Sequence, residues 1–139
     1  VDLGGLQLWI GHPDGRANVE QGRAELIAIV NEGDTAPENA AGRAMAAALL
    51  GDHAADERET ESLLRENQAD HWALPRAQVA CARACAVMGD ADHAIDILAA
   101  ALAAPADLTP TPALLRIDPV WDKIREDPRF QKLCTQGRL

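Results

Sequence analysis

The sequence contains no tyrosine, a single phenylalanine (Phe130) and no runs of Val, Ile and Thr, so it lacks the side chains from which strands are usually built. It also lacks an excess of positive charge, since 22 acidic residues against 13 basic give a formal net charge of −9. Nucleic-acid binding depends on basic side chains displacing counterions from phosphates, and attraction to anionic lipid needs the same sign, so neither a nucleic acid nor a membrane is expected as partner. The excess carboxylates suit solubility in a chain rich in alanine. The longest apolar run, Ile97 to Ala104, is far too short to span a bilayer, and there is no signal-peptide pattern. Cysteine is scarce and odd in number: Cys81, Cys85 and Cys134, the first two four apart on one helix face, do not form the framework of a secreted domain. A reducing, cytoplasmic compartment fits best. Also missing are a Gly-rich phosphate loop, a His-Glu-x-x-His helix and a Gly-x-Ser-x-Gly elbow, so no cofactor and no catalytic residue is expected.

What remains is dominated by Ala, Leu, Arg and Glu, the strongest helix formers, and the expected class is all-α. A length of 139 residues suits one domain with its own core. Because the chain opens on Val1 rather than Met, a fragment of a longer protein is expected.

Gly4, Gly5, Gly11, Pro13 and Gly15 break any long helix at the start, leaving the end of one helix, a turn at His12 to Gly15, and a Trp9 buried by the helix beyond that turn. From Ala17 to Glu32 the apolar residues Val19, Leu26, Ile29 and Val30 recur at helical spacing, stopped by Gly33-Asp34. Helices are expected over Pro37 to Leu50, Asp52 to Asn67, Pro75 to Met88 and Asp92 to Ala103, the last stopped at Pro105.

Internal repetition decides the arrangement. Ala46-Ala47-Ala48-Leu49-Leu50-Gly51-Asp52 and Arg83-Ala84-Cys85-Ala86-Val87-Met88-Gly89-Asp90 are both rich in small residues and end in an apolar pair and a Gly-Asp turn. In each a proline stands fourteen residues before the glycine, and the two glycines are 38 apart. A helix pair this short cannot bury its apolar face alone, so neighbouring pairs share a core, and small residues at the crossings let the helices approach closely.

After the second turn, Ala94 is followed four residues later by Leu98, then by Ala101, and Pro105 closes the unit; Gly22, Leu26 and Ile29 repeat the spacing. In this the sequence resembles the tetratricopeptide repeat (TPR) family over roughly residues 17 to 108. Asp56 and Thr60 depart from the pattern where Ala and a bulky residue stand, and the family's first-helix Trp, Leu, Gly and Tyr are absent. The resemblance implies a right-handed α-α superhelix over 1–108. Asp118-Pro119 and Asp127-Pro128 each look like an N-cap with a proline at the first helical position, so a two-helix cap is expected over 109–139, closing the stack with Val120, Trp121, Ile124, Phe130 and Leu133. This tail is similar to segments that end tetratricopeptide regions of bacterial multidomain proteins carrying a kinase, cyclase-like or DNA-binding domain, which implies a sensor or docking role.

Cys81, Cys85 and His93 offer a fragment of a metal set, but a zinc site needs four ligands and no second pair is present. Free Cys on a packed face behaves as a small hydrophobe, so core filling is expected and no metal. His12, His53, His71 and His93 lie near turns with no nucleophile beside them and are expected in solvent. The run Asp56-Glu57-Arg58-Glu59-Thr60-Glu61 is expected as the solvated face and first turn of a helix. Arg76 and Arg83 share a helix face with Val79 and Ala86, matched on the preceding repeat by Glu38, Ala41, Met45 and Ala48. In the resembled family these first helices line a concave groove. The resemblance implies a partner-binding surface of Glu38, Met45, Arg76, Val79 and Arg83, holding a protein or peptide whose carboxylate the arginines fork. The competing readings are ordinary surface arginines; a self-association module in which the tryptophans Trp9, Trp72 and Trp121 and a Gly-rich apolar N-terminus leave a patch that pairs two copies as a homodimer; and, third, an enzyme.

Overall fold

The computed structural model describes residues 2–33, 36–104 and 109–135. Among these there is no strand, and the chain is all-helical as composition demands. Six helices come first: α1 (Asp2–Trp9), α2 (Gly15–Asn31), α3 (Pro37–Leu50), α4 (His53–Asn67), α5 (Ala73–Met88) and α6 (Ala91–Ala103). Then come α7 (Pro112–Ile117), a 3-10 helix (Pro119–Ile124) and α8 (Pro128–Thr135). Pro105, Asp34 and the chain end beyond Thr135 lie outside the described residues. The first six form three consecutive hairpins, and the main contacts between hairpins join α2 to α3, α3 to α5 and α4 to α5, each hairpin packing on the next.

One local device ends and begins helices in both repeats. Gly51 and Gly89 adopt left-handed φ of 74° and 84°, conformations that cost glycine nothing, and their N–H groups donate back to the last turn of α3 and α5. Asp52 N–H donates to the Ala47 carbonyl at 2.9 Å and Asp90 N–H to the Cys85 carbonyl at 3.0 Å. The same two aspartates then cap the next helix, their carboxylates accepting from Ala55 N–H at 3.1 Å and His93 N–H at 3.2 Å. Two residues thus reverse the chain with their own backbone donors satisfied, which fixes how each hairpin folds back.

The crossings are made by small residues. Ala44, Ala46, Ala47, Ala82, Ala84, Ala86, Ala94 and Ala101 are all buried. Such a floor of alanines brings backbones close but leaves little volume for bulky side chains, and these come from the tail. Leu115, Trp121, Ile124 and Phe130 are fully enclosed, and the rings of Trp121 and Phe130 tilt together at 5.6 Å between centroids. The tail therefore completes the core of the third hairpin. It does so with three short helices rather than two, because Thr111 and Pro112 start α7 before the first Asp-Pro step, the Thr111 hydroxyl accepting from Leu114 N–H.

Polar stitches hold the tail. Lys123 Nζ donates to the Val87 carbonyl at 2.6 Å, and Arg129 reaches Asp92 of α6 at 2.7 Å. The Arg125 guanidinium gathers carbonyls of Leu115, Arg116 and Asp118, satisfying the open end of α7.

At the other end, Trp9 is not buried by α2 as expected; it stays 43% exposed. The reason is that α1 and α2 meet backbone to backbone. A Cβ at Gly4 would lie 2.7 Å from Val19 Cγ2 and 2.8 Å from Val19 N, and one at Gly15 would lie 2.7 Å from Leu8 N. Glycine is required there, and the contact is spent on Val19 rather than on the indole. Gly15→Ala is expected to lower stability by about 1–3 kcal/mol in urea unfolding, since backbone must move. Gly5→Ala, whose Cβ meets only the flexible end of Leu49 at 3.2 Å, is expected to stay near neutral. Equal losses for the two would refute the close-approach account.

Candidate functional site

Three helices, one side of α5 and the tail enclose an open hollow of about 730 Å3. The α1 wall supplies Gly5, Leu6 and Trp9; α2 supplies Gly22, Glu25, Leu26 and Ile29; α3 supplies Glu38, Ala41, Gly42, Met45 and Leu49. Ala80 and Arg83 of α5, with Asp118 and Pro119 of the tail, close the far side. The spacing explains the lining: Gly22, Leu26 and Ile29 stand on one stripe of α2, while Glu38, Ala41, Met45 and Leu49 recur at three and four along α3. Leu6, Trp9, Glu25, Ile29 and Glu38 are solvent-exposed, so the hollow is a trough with an apolar floor and not a closed chamber. A smaller hollow of about 230 Å3, also bounded by Glu38 and Ala41, continues along α3 to Asn67, Arg76 and Ala77.

Of the surface expected from sequence, Glu38, Met45 and Arg83 line the larger hollow, Arg76 lines the smaller, and partly buried Val79 lines neither. The arginines are not free forks. Arg83 holds Asp118 at 2.8 Å, and exposed Arg76 stands 3.8 Å from Glu38. A partner carboxylate at Arg83 would have to share the guanidinium with Asp118, which caps the 3-10 helix by accepting from Val120 N–H at 3.0 Å. Sequence reading missed Leu6, Trp9, Leu49, Asp118 and Pro119. The signal that existed was the Gly22, Leu26, Ile29 stripe, which repeats the spacing of Ala94, Leu98 and Ala101.

The remaining candidate chemistry is scattered. Cys81 and Cys85 are buried, and burial pushes both thiols up to about 12, with neighbouring acidic groups adding to it, which leaves them unreactive near neutral pH. His93 is exposed and pairs with Asp90 at 2.6 Å; this hydrogen bond raises the imidazole from its usual value. Among the described residues no group of three His, Cys, Asp or Glu side chains is placed to hold a metal. His12, His53 and His71 are exposed.

The acidic run is corrected in part. Glu57, Arg58 and Glu61 face solvent, but Asp56 and Thr60 are buried, because the run is longer than one turn and its inner positions continue the stripe to Leu63 and Asn67. Asp56 stands one repeat before Ala94, and its Oδ1 finds no hydrogen-bond partner. Burial raises its carboxyl to about 6. Glu59 turns inward to pair with Arg43 at 2.9 Å.

Comparison of the chain with protein-family models, with curated proteins and with solved structures finds no match. Among the described residues no helix is long and apolar enough to cross a membrane.

Proposed function

We propose that the chain is a tetratricopeptide-like stack acting as a non-enzymatic docking module of a cytoplasmic, regulatory bacterial protein, holding a segment of another protein in the trough between the first two hairpins. What supports the architecture is the packing of each hairpin on its neighbour and the Gly-Asp turn repeated at Gly51 and Gly89. The trough carries the function: Leu6, Trp9 and Ile29 stand exposed around a floor of Leu26, Met45 and Leu49. Exposed apolar surface of this kind marks an interaction site, and a large aromatic beside a groove is a common binding anchor. The titratable groups of the lining are Glu25, Glu38, Arg83 and Asp118, with no nucleophile or histidine among them, which favours holding over catalysis.

The test is a displayed peptide library panned against the folded chain, with enriched peptides titrated through Trp9 emission in a Trp72→Phe background. Met45→Glu is expected to weaken these peptides at least about ten-fold. Peptides that bind Met45→Glu undiminished, or a library yielding nothing above scrambled controls, would remove the trough as the docking site.

A second reading rests on Ile10, 77% exposed beside Leu6 and Trp9, which gives α1 and its turn an apolar face. On that reading two copies pair through α1. Sedimentation should then show a dimer that Trp9→Glu dissociates; a monomer at every concentration rejects it.

A further inference from the structure

We infer that the occupant of the trough is an amphipathic protein segment whose apolar side chains fill it and whose flanking residues are Lys or Arg; this rests on the trough being a docking site. The charges around the lining select that chemistry. Three carboxylates border the trough against one guanidinium, and that guanidinium, Arg83, is already bound to Asp118 at 2.8 Å. Glu25 is exposed, and among the described residues its close partner is the neutral amide of Gln21 at 3.0 Å. Glu38 is exposed too, with Arg76 its nearest cation among the described residues at 3.8 Å, an exposed pair of little worth.

The backbone adds to this. Ile29 puts the last turn of α2 in the wall, and that turn has no basic residue to answer the negative end of the helix. The opposite end of α3, whose dipole would welcome an anion, is already answered by Glu38. An acidic segment would meet Glu25 and Glu38 with its own charge and would have to share Arg83 with Asp118. A basic segment meets both carboxylates across an apolar floor and competes only with the loose, exposed Arg76–Glu38 pair. The net charge of −9 steers such a segment inward from a distance.

Two synthetic peptides with the same leucine-rich face, one bearing lysines and the other glutamates elsewhere, decide the matter by titration against the full chain. The lysine peptide is expected to bind, more weakly as salt rises, and Glu25→Lys with Glu38→Lys is expected to weaken it on the order of ten-fold. Tighter or equal binding of the glutamate peptide overturns the inferred charge while leaving the docking site standing. Lysine-peptide binding undiminished in the double charge variant overturns it as well. Failure of both peptides, or lysine-peptide binding that Met45→Glu does not weaken, overturns the inference together with the docking reading beneath it.

Discussion

Trp121→Ala is expected to cost about 3–5 kcal/mol in urea unfolding and to lower the thermal midpoint by roughly 10–15 °C. The size of the effect follows from the composition of the core. Many of the buried residues of these helices are alanines, so each helix brings little apolar volume, and Trp121 with Phe130 supplies what the others lack. Trp121 is only 1% exposed, and truncating it leaves a void that neighbouring alanines are too short to fill. Against a total stability of about 5–15 kcal/mol for a domain, that loss removes much of the margin. Trp72→Ala provides the contrast: this indole is 75% exposed, and its removal is expected to change stability by less than about 0.5 kcal/mol. Similar losses for the two would mean that the tail does not complete the core.

The second large effect is one of pH. The Asp56 carboxyl is raised by burial, from 3.8 to about 6, with His53 opposing and Asp90 and Glu57 reinforcing the shift. A carboxyl whose folded pKa lies above its unfolded value binds a proton more tightly in the native state. Its contribution is therefore most favourable below the unfolded value and is lost as pH rises through about 6, at a cost on the order of 3 kcal/mol by neutrality. Asp52, Asp70, Asp90 and Asp127 run the other way. Asp52 and Asp70 are held low chiefly by backbone N–H groups, Asp127 chiefly by Arg129, and Asp90 by His93 in spite of its burial. Their stabilisation is present above 3.8 and is lost on acidification below it. Stability should accordingly peak between those two ranges. Asp56→Ala, the residue found one repeat later at Ala94, is expected to raise stability at pH 8 by on the order of 1–3 kcal/mol and to flatten the decline between about pH 4 and 6. A variant that is less stable at that pH, or one that keeps the wild-type slope, would show that Asp56 is not the buried acid.

How much of this could be read from the residues varies with the range of the interaction. Helix limits were legible to within two residues or so from Pro37 to Ala103, because Gly51-Asp52 and Gly89-Asp90 encode their turns locally. The bulky residues of the tail were legible because apolar side chains of that size have nowhere else to go. Trp9 was misread because the crossing of α1 and α2 is decided by what Gly4 and Gly15 omit, and a missing Cβ does not name its neighbour. Asp56 was misread because a charged run in a line looks solvated, whereas wound on a helix it has an inside. Glu38, Met45 and Arg83 line the trough on the face where the resemblance, laid on helical spacing, implied a groove, yet the Asp118 that pairs with Arg83 lies 35 residues further on and no local pattern points to it.

Asp118 and Pro119 belong at once to the tail that seals the third hairpin and to the far side of the trough. On the proposed docking reading, seating of a guest and fastening of the C-terminal clasp are linked equilibria, and each shifts the other by the same factor. On that reading, a guest leaning on the shared edge is expected to change amide exchange at Trp121 and Phe130, which lie outside the lining of the trough.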